Sequence, residues 1–194
     1  MTKLFSKKDY FQEKFQDLFL EKKKIKAKVF EKCEFIKCKF IDCIFDDCQF
    51  LNCNFKDCLI SAAKPFNSSF LEVKFLDSKV IGFDWTKAKS ILFLSFLRCN
   101  ISYSNFSQLD LEELKVKECV AKEVDFVETN LKNSVFTKTD LLKTRFIQSD
   151  LSFADFRKAY NYMLDFRQNK LKKAKFSLPE ASNLLRCLDI ILED

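Results

Sequence analysis

Residues 30–55 read FEKCEFIKCKFIDCIFDDCQFLNCNF. Phe recurs at every fifth position, at Phe30, Phe35, Phe40, Phe45, Phe50 and Phe55, and Cys33, Cys38, Cys43, Cys48 and Cys53 stand two places before the last five. This period matches neither the 3.6 residues of a helical turn nor the alternation of a flat strand. It requires a chain that turns a corner every five residues and sends one large and one small side chain inward on each side. Four such sides make a coil of 20 residues, and successive coils pair as parallel strands ~4.8 Å apart. Phe35 is then expected on Phe55 and Phe55 on Phe75, with a small residue in each corner where a larger one would clash. Each buried Phe contributes roughly 1.5–3 kcal/mol, and the repeated sum stabilises a rod that has no conventional globular core.

Outward from this stretch the period continues through Ile60, breaks at Pro65, and resumes at Phe70, Phe75, Val80 and Trp85. It slips by one residue before Ile91, then runs on fives through Phe96, Ile101 and Phe106 to Phe126, Phe136, Phe146 and Phe156. Asn161 interrupts it, and Phe166, Leu171 and Phe176 close it. The expected core stack comprises Phe35, Phe40, Phe45, Phe50, Phe55, Phe75, Phe126, Phe136, Phe146 and Phe156. Pro cannot donate to a strand ladder, so Pro65 is expected at a corner or a bulge.

The later repeats, Ser149-Asp150-Leu151-Ser152-Phe153 and Ala154-Asp155-Phe156-Arg157-Lys158, carry a resemblance to the pentapeptide-repeat family, whose consensus is A-(D/N)-L-X-X. The resemblance implies an all-β solenoid, a right-handed quadrilateral parallel β-helix. Residues 29–178 are expected to form about 7–8 coils of it. Fold alone does not determine function.

A solenoid must cap its ends. Residues 1–28 are expected as an N-terminal cap segment. Ser177-Leu178-Pro179-Glu180 reads as a capping box with Pro in the first turn. Residues 179–194 then read as a C-terminal amphipathic α-helix with Ala181, Leu184, Leu185, Leu188, Ile191 and Leu192 on one face. This ending is similar to that of the Qnr-type quinolone-resistance and microcin-immunity members of the family. The resemblance implies a homodimer joined tail to tail; the alternative is a helix folded back over its own last coil.

The chain has 194 residues, no His, one Gly, two Pro, nine Cys and 24 Phe. Without His there is no Ser-His-Asp triad and no His-ligated zinc. One Gly excludes a phosphate loop and a dinucleotide fingerprint, and argues against hairpins that need φ > 0 residues. The six Cys at spacing five face different corners, which suits neither a zinc site nor a disulfide framework. They read as small buried hydrophobes. No enzyme activity, cofactor, metal or small-molecule substrate is expected. The start of the chain lacks a signal-peptide core and no apolar run is long enough for a membrane span, so a cytoplasmic protein is expected.

The net charge is +6, but residues 1–28 hold nine Lys against four acids (+5) and residues 29–194 hold 25 Lys and Arg against 24 acids (+1). The rod is nearly neutral. Lys22-Lys23-Lys24-Ile25-Lys26 lacks Arg and interleaved aromatics, so direct nucleic-acid binding is not expected. The Qnr-type resemblance implies a type II topoisomerase partner, DNA gyrase or topoisomerase IV, engaged by DNA mimicry that gives quinolone or toxin protection. That needs a row of carboxylates standing in for phosphates. The candidates are Asp42, Asp46, Asp47 and Asp57 early in the chain, and Asp110, Glu112, Glu113 and Glu118 in its middle. Against this stand the near-neutral rod and the lack of any long insertion that would form an extruded loop. The second reading is a general protein-interaction scaffold with an unknown partner.

Overall fold

A computed structural model of the chain describes residues 5–188 and 190. It is a β-solenoid whose strands are three residues long, most with the centre buried and the flanks outward, as in Asn54–Lys56 and Lys74–Leu76. Every strand pairing is parallel, and its register is the period read from the sequence: Phe15, Phe35, Phe55 and Phe75 are successive partners 20 residues apart. Four sides result. Side 1 carries Tyr10, Phe30, Phe50, Phe70 and Ile91. Side 2 carries Phe15 through Phe75, then Phe96 and Val116. Side 3 carries Leu20, Phe40, Ile60 and Val80. Side 4 carries Ile25 and Phe45, and later Phe126 and Phe146.

The rings stack along the axis. Phe35 lies on Phe55 at 4.5 Å between centroids and 6° between planes, and Phe55 on Phe75 at 4.9 Å. Phe136 lies on Phe156, and Phe126 on Phe146, in the same way. All ten residues of the expected core stack are buried.

The solenoid starts earlier than the sequence reading placed it. Residues 1–28, expected as a cap, contain the strands Asp9–Phe11, Lys14–Gln16, Phe19–Glu21 and Lys24–Lys26, a full coil below the first Cys. Tyr10, Phe15, Leu20 and Ile25 are in phase with the later centres.

The slot two before each centre is a polar ladder as well as a steric filler. Ser149 Oγ accepts the Thr129 N–H of the coil below (3.1 Å) and donates to the Phe126 carbonyl (2.8 Å). Ser68 and Thr139 do the same for the N–H groups of Cys48 and Cys119. Where the slot holds Cys, the thiol donates to the carbonyl below, as Cys53 does to Phe30 (3.2 Å). These bonds satisfy backbone groups that would otherwise be orphaned inside the coil.

Corners are left-handed. The residue two after the centre has φ near +55° in nearly every repeat, yet it is Lys37, Asp57, Glu72 or Asn133, and Gly only at Gly82. Scarcity of Gly therefore does not mean scarcity of φ > 0 residues, as the composition had implied; the ladder on both sides of each corner holds the strained residue in place.

Pro65 is at the centre of a side, buried, and not at a corner. The strand lapses there because Pro has no N–H to give to the next coil. The slip is absorbed by a 3₁₀ turn, Trp85–Lys87, capped by Asp84, which accepts from the Thr86 N–H and hydroxyl. Partners across it are 21 apart, as in Phe75 and Phe96, and 20 apart again at Val116.

The last coil departs from the period. Asn161 takes φ +59°, Tyr162 and Leu164 turn inward, and Phe166, expected at a centre, is exposed. The C-terminal segment is a 3₁₀ helix over Glu180–Leu188, not an α-helix. The capping box is not made, because Ser177 Oγ accepts the Lys158 N–H of the coil below (2.7 Å). Nine residues that include Ser182, Asn183 and Cys187 are also too short and too weak in propensity to nucleate an α-helix. No helix among the described residues is long and apolar enough to cross a membrane.

Candidate protein-binding surface

With the interior filled, the side chains available to a partner are the outward ones: one before, one after and two after each centre. The 20-residue register sets charges on adjacent coils side by side. Arg98 reaches Asp77 (2.6 Å), Lys138 reaches Glu118 (3.0 Å), Arg145 reaches Asp125 (2.5 Å) and Lys122 reaches Asp140 (3.3 Å). The Arg98 hydrogen bond holds the Asp77 carboxyl below the usual carboxylate range, and Lys138 does the same for Glu118. Part of the surface charge is thus neutralised pair by pair along the register.

The eight candidate acids do not form one row. Asp46 is buried beneath Lys24 (2.7 Å) and Lys26 (3.9 Å), which also removes two cations from the basic run. Asp47 accepts from Asn67 one coil on. The corner acids follow different sides: Asp42 follows Phe40, Asp47 follows Phe45, Asp57 follows Phe55, and Glu113 follows Leu111. Glu118 shares its corner with Asp57 three coils away, and it is paired. Only Asp110, Glu112 and Glu113 are brought together, on side 1 and its corner. A continuous phosphate-like ladder is absent among the described residues.

Sequence reasoning missed a pair beside those three acids. Leu92 and Phe93 are more than half exposed. The signal was present for Phe93, whose slot two after the centre is mostly polar or charged in other repeats, but not for Leu92, whose slot also holds Leu71, Leu76, Ile81 and Leu97.

The expected single apolar stripe at the C-terminus is split. A 3₁₀ helix has three residues per turn. Ala181, Leu184 and Cys187 therefore share one half-buried row, with Leu184 packed on the core, while Leu185 and Leu188 share an exposed one. Ile191 and Leu192 lie outside the described residues. The solenoid cysteines are buried free thiols, and Cys187 is half-buried. Burial pushes Cys53 up to about 12 and raises Cys33, Cys43 and Cys48 as well. Among the described residues no three His, Cys, Asp or Glu converge as metal ligands.

Residues 122–160 match the family model described as pentapeptide repeats, in eight copies. No curated protein matches the chain. Two solved structures of QnrB1, a plasmid-mediated fluoroquinolone resistance protein, share the fold. A trypsin-treated variant is 22% identical, with 96% of this chain and 99% of that chain covered and a TM-score of 0.75. The full-length protein is 20% identical, with 94% and 100% covered and a TM-score of 0.70.

Proposed function

From a chain built of pentapeptide repeats we propose a non-enzymatic protein that binds another protein through the outer surface of its rod. The observation that carries this is the filled interior. Aromatic and aliphatic centres with small residues between them fill the axis from Tyr10 to Phe156, and the concavities lie at the surface. A site that encloses and desolvates a small substrate has no place in such a body, whereas a long rigid surface of set register suits a macromolecule.

The partner to test first is a type II topoisomerase. What supports it is the likeness over nearly the whole length to a fluoroquinolone resistance protein. The near-neutral, mixed-charge rod disfavours uniform DNA mimicry, so engagement here would rest on a local patch. Gyrase supercoiling with a fluoroquinolone present is expected to recover as this protein is added at micromolar concentration. Neither protection nor inhibition would leave the second reading, a scaffold for a different partner, which the mixed, near-neutral charge of the rod favours. We further place a tail-to-tail homodimer contact on the exposed Leu185 and Leu188.

A further inference from the structure

Three features coincide where side 1 turns into side 2. The first is strain. Phe93 has φ +54°, a conformation unfavourable for a bulky side chain. The same corner carries Glu72 and Glu113 in the coils on either side. The second is exposure: the Phe93 ring and Leu92 project from the rod, and Leu71 sits beside Leu92 as its ladder partner. The third is charge. A groove of about 320 Å³ between this coil and the next has Leu92, Phe93 and Leu94 on one wall and Asp110, Glu112 and Glu113 on the other.

No cation lines that groove, and none of its three acids has an ion pair among the described residues. Asp110 accepts from the Asn130 amide (2.7 Å) and Glu112 from the Asn133 amide (3.0 Å), both neutral donors. This sets the corner apart from Asp77, Glu118, Asp125 and Asp140, whose charges are cancelled one coil away. On the far side of Phe93 a second concavity mixes Glu72 and Glu113 with Lys74 and Lys115, so the ring divides an acidic groove from a balanced one.

We propose that this corner docks a basic segment of a partner protein that carries one large apolar side chain between lysines or arginines. The apolar wall receives the anchor, and the carboxylates meet the flanking cations. The same charges repel nucleic acid and anionic lipid. The inference rests on the reading that the rod surface binds protein, but it does not need the partner to be a topoisomerase.

The test is fluorescence anisotropy with the full chain and a fluorescein-labelled peptide, Arg-Lys-Leu-Phe-Lys-Arg, at low salt. Saturable binding that weakens with added salt is expected, with no binding of the peptide Glu-Asp-Leu-Phe-Asp-Glu. Phe93→Gly and the double variant Glu112→Gln, Glu113→Gln are each expected to weaken binding by about tenfold or more. Asp42→Asn with Asp57→Asn, at distant corners, is expected to leave it unchanged. Gly suits the left-handed corner, as at Gly82, so Phe93→Gly should melt no lower than the parent and its effect reads binding alone. No binding by the parent, equal binding of the acidic peptide, or equal loss at the distant corners overturns the proposal. Protection of gyrase alongside any of these would leave the topoisomerase reading standing, and loss of protection alongside peptide binding would do the reverse.

Discussion

Asn169 Oδ1 accepts the backbone N–H of Ser149, one coil below, at 3.0 Å. Its amide nitrogen donates to the Phe146 carbonyl at 2.8 Å and to the Asp165 carbonyl at 3.0 Å. A buried Asn thus does in the last coil what Ser and Thr do in earlier ones, and ends the column Thr129–Ser149. Asn169→Ala leaves those backbone groups unpaired in a buried site. It is expected to cost about 1–3 kcal/mol, read as a lower urea midpoint at unchanged slope. Asn169→Ser, which keeps a donor and an acceptor, should recover part of the loss.

Phe55 is held between Phe35 and Phe75 and is 2% exposed. Phe55→Ala removes a ring from the middle of a stack that cannot collapse, since backbone ladders fix the coil spacing. A loss of about 3–5 kcal/mol is expected. Phe55→Leu should cost less, because Ile60 and Val80 already fill centre positions. Thermal melting of the two variants checks the order.

The centres were legible because a five-residue hydrophobic period has one physical solution. The first coil was not, because its small slots hold Lys8, Glu13, Leu18 and Lys23 in place of Cys or Ser. Lys8 and Lys23 reach solvent and Leu18 packs on the core, so the small-residue signal is absent where the centres Tyr10, Phe15, Leu20 and Ile25 persist. The left-handed corners were hidden for another reason. Lys37 and Glu72 carry no turn signal of their own, and tertiary pairing on both sides imposes their φ. The apolar spacing at the C-terminus fits an α-helical stripe, and only the three-residue turn separates Leu184 from Leu185 and Leu188. The candidate acids were found, but their pairing depends on which side each repeat faces.

The eight buried thiols are shut away from reagent in the native state and should react slowly, although hydrogen bonds with Cys58 and Cys119 lower Cys38, to about 7, and Cys99. Burial raises Cys53 to about 12, so at pH 8 it carries almost no thiolate, the reactive form. The thiols of Cys33, Cys43 and Cys48 are raised by the same cause. Titration with an aromatic disulfide reagent at pH 8 is expected to show one fast thiol, the half-buried Cys187, and all nine after unfolding. Several fast native thiols would contradict the burial.

Stability is expected to fall in acid. The Arg167 hydrogen bond lowers Asp165 to about 2 from 3.8, and Arg157 lowers Asp155. A carboxyl depressed in the fold adds stability that is fully present above its unfolded value and is lost as pH falls through the folded one. The loss therefore lies between about pH 4 and pH 2. The arginines of these pairs are exposed and only their carboxylates are half-buried, so each pair contributes little and salt should blunt the effect. Melting temperature measured across that range, with Arg167→Ala as the comparison, checks both direction and window; the variant should lose less on acidification than its parent.

The two rows of the C-terminal 3₁₀ helix separate capping from self-association. Leu184 packs on the core, so Leu184→Asp should lower the melting temperature whatever the oligomeric state. Leu185 and Leu188 face outward, so Leu185→Asp with Leu188→Asp should leave melting of the solenoid nearly unchanged. If two copies meet through this row, the double variant buries two carboxylates against apolar surface and is expected to shift the mass by light scattering from dimer to monomer. A parent that is already monomeric, or a variant that keeps the dimer mass, removes the contact from this row and leaves the segment as a cap on its own last coil.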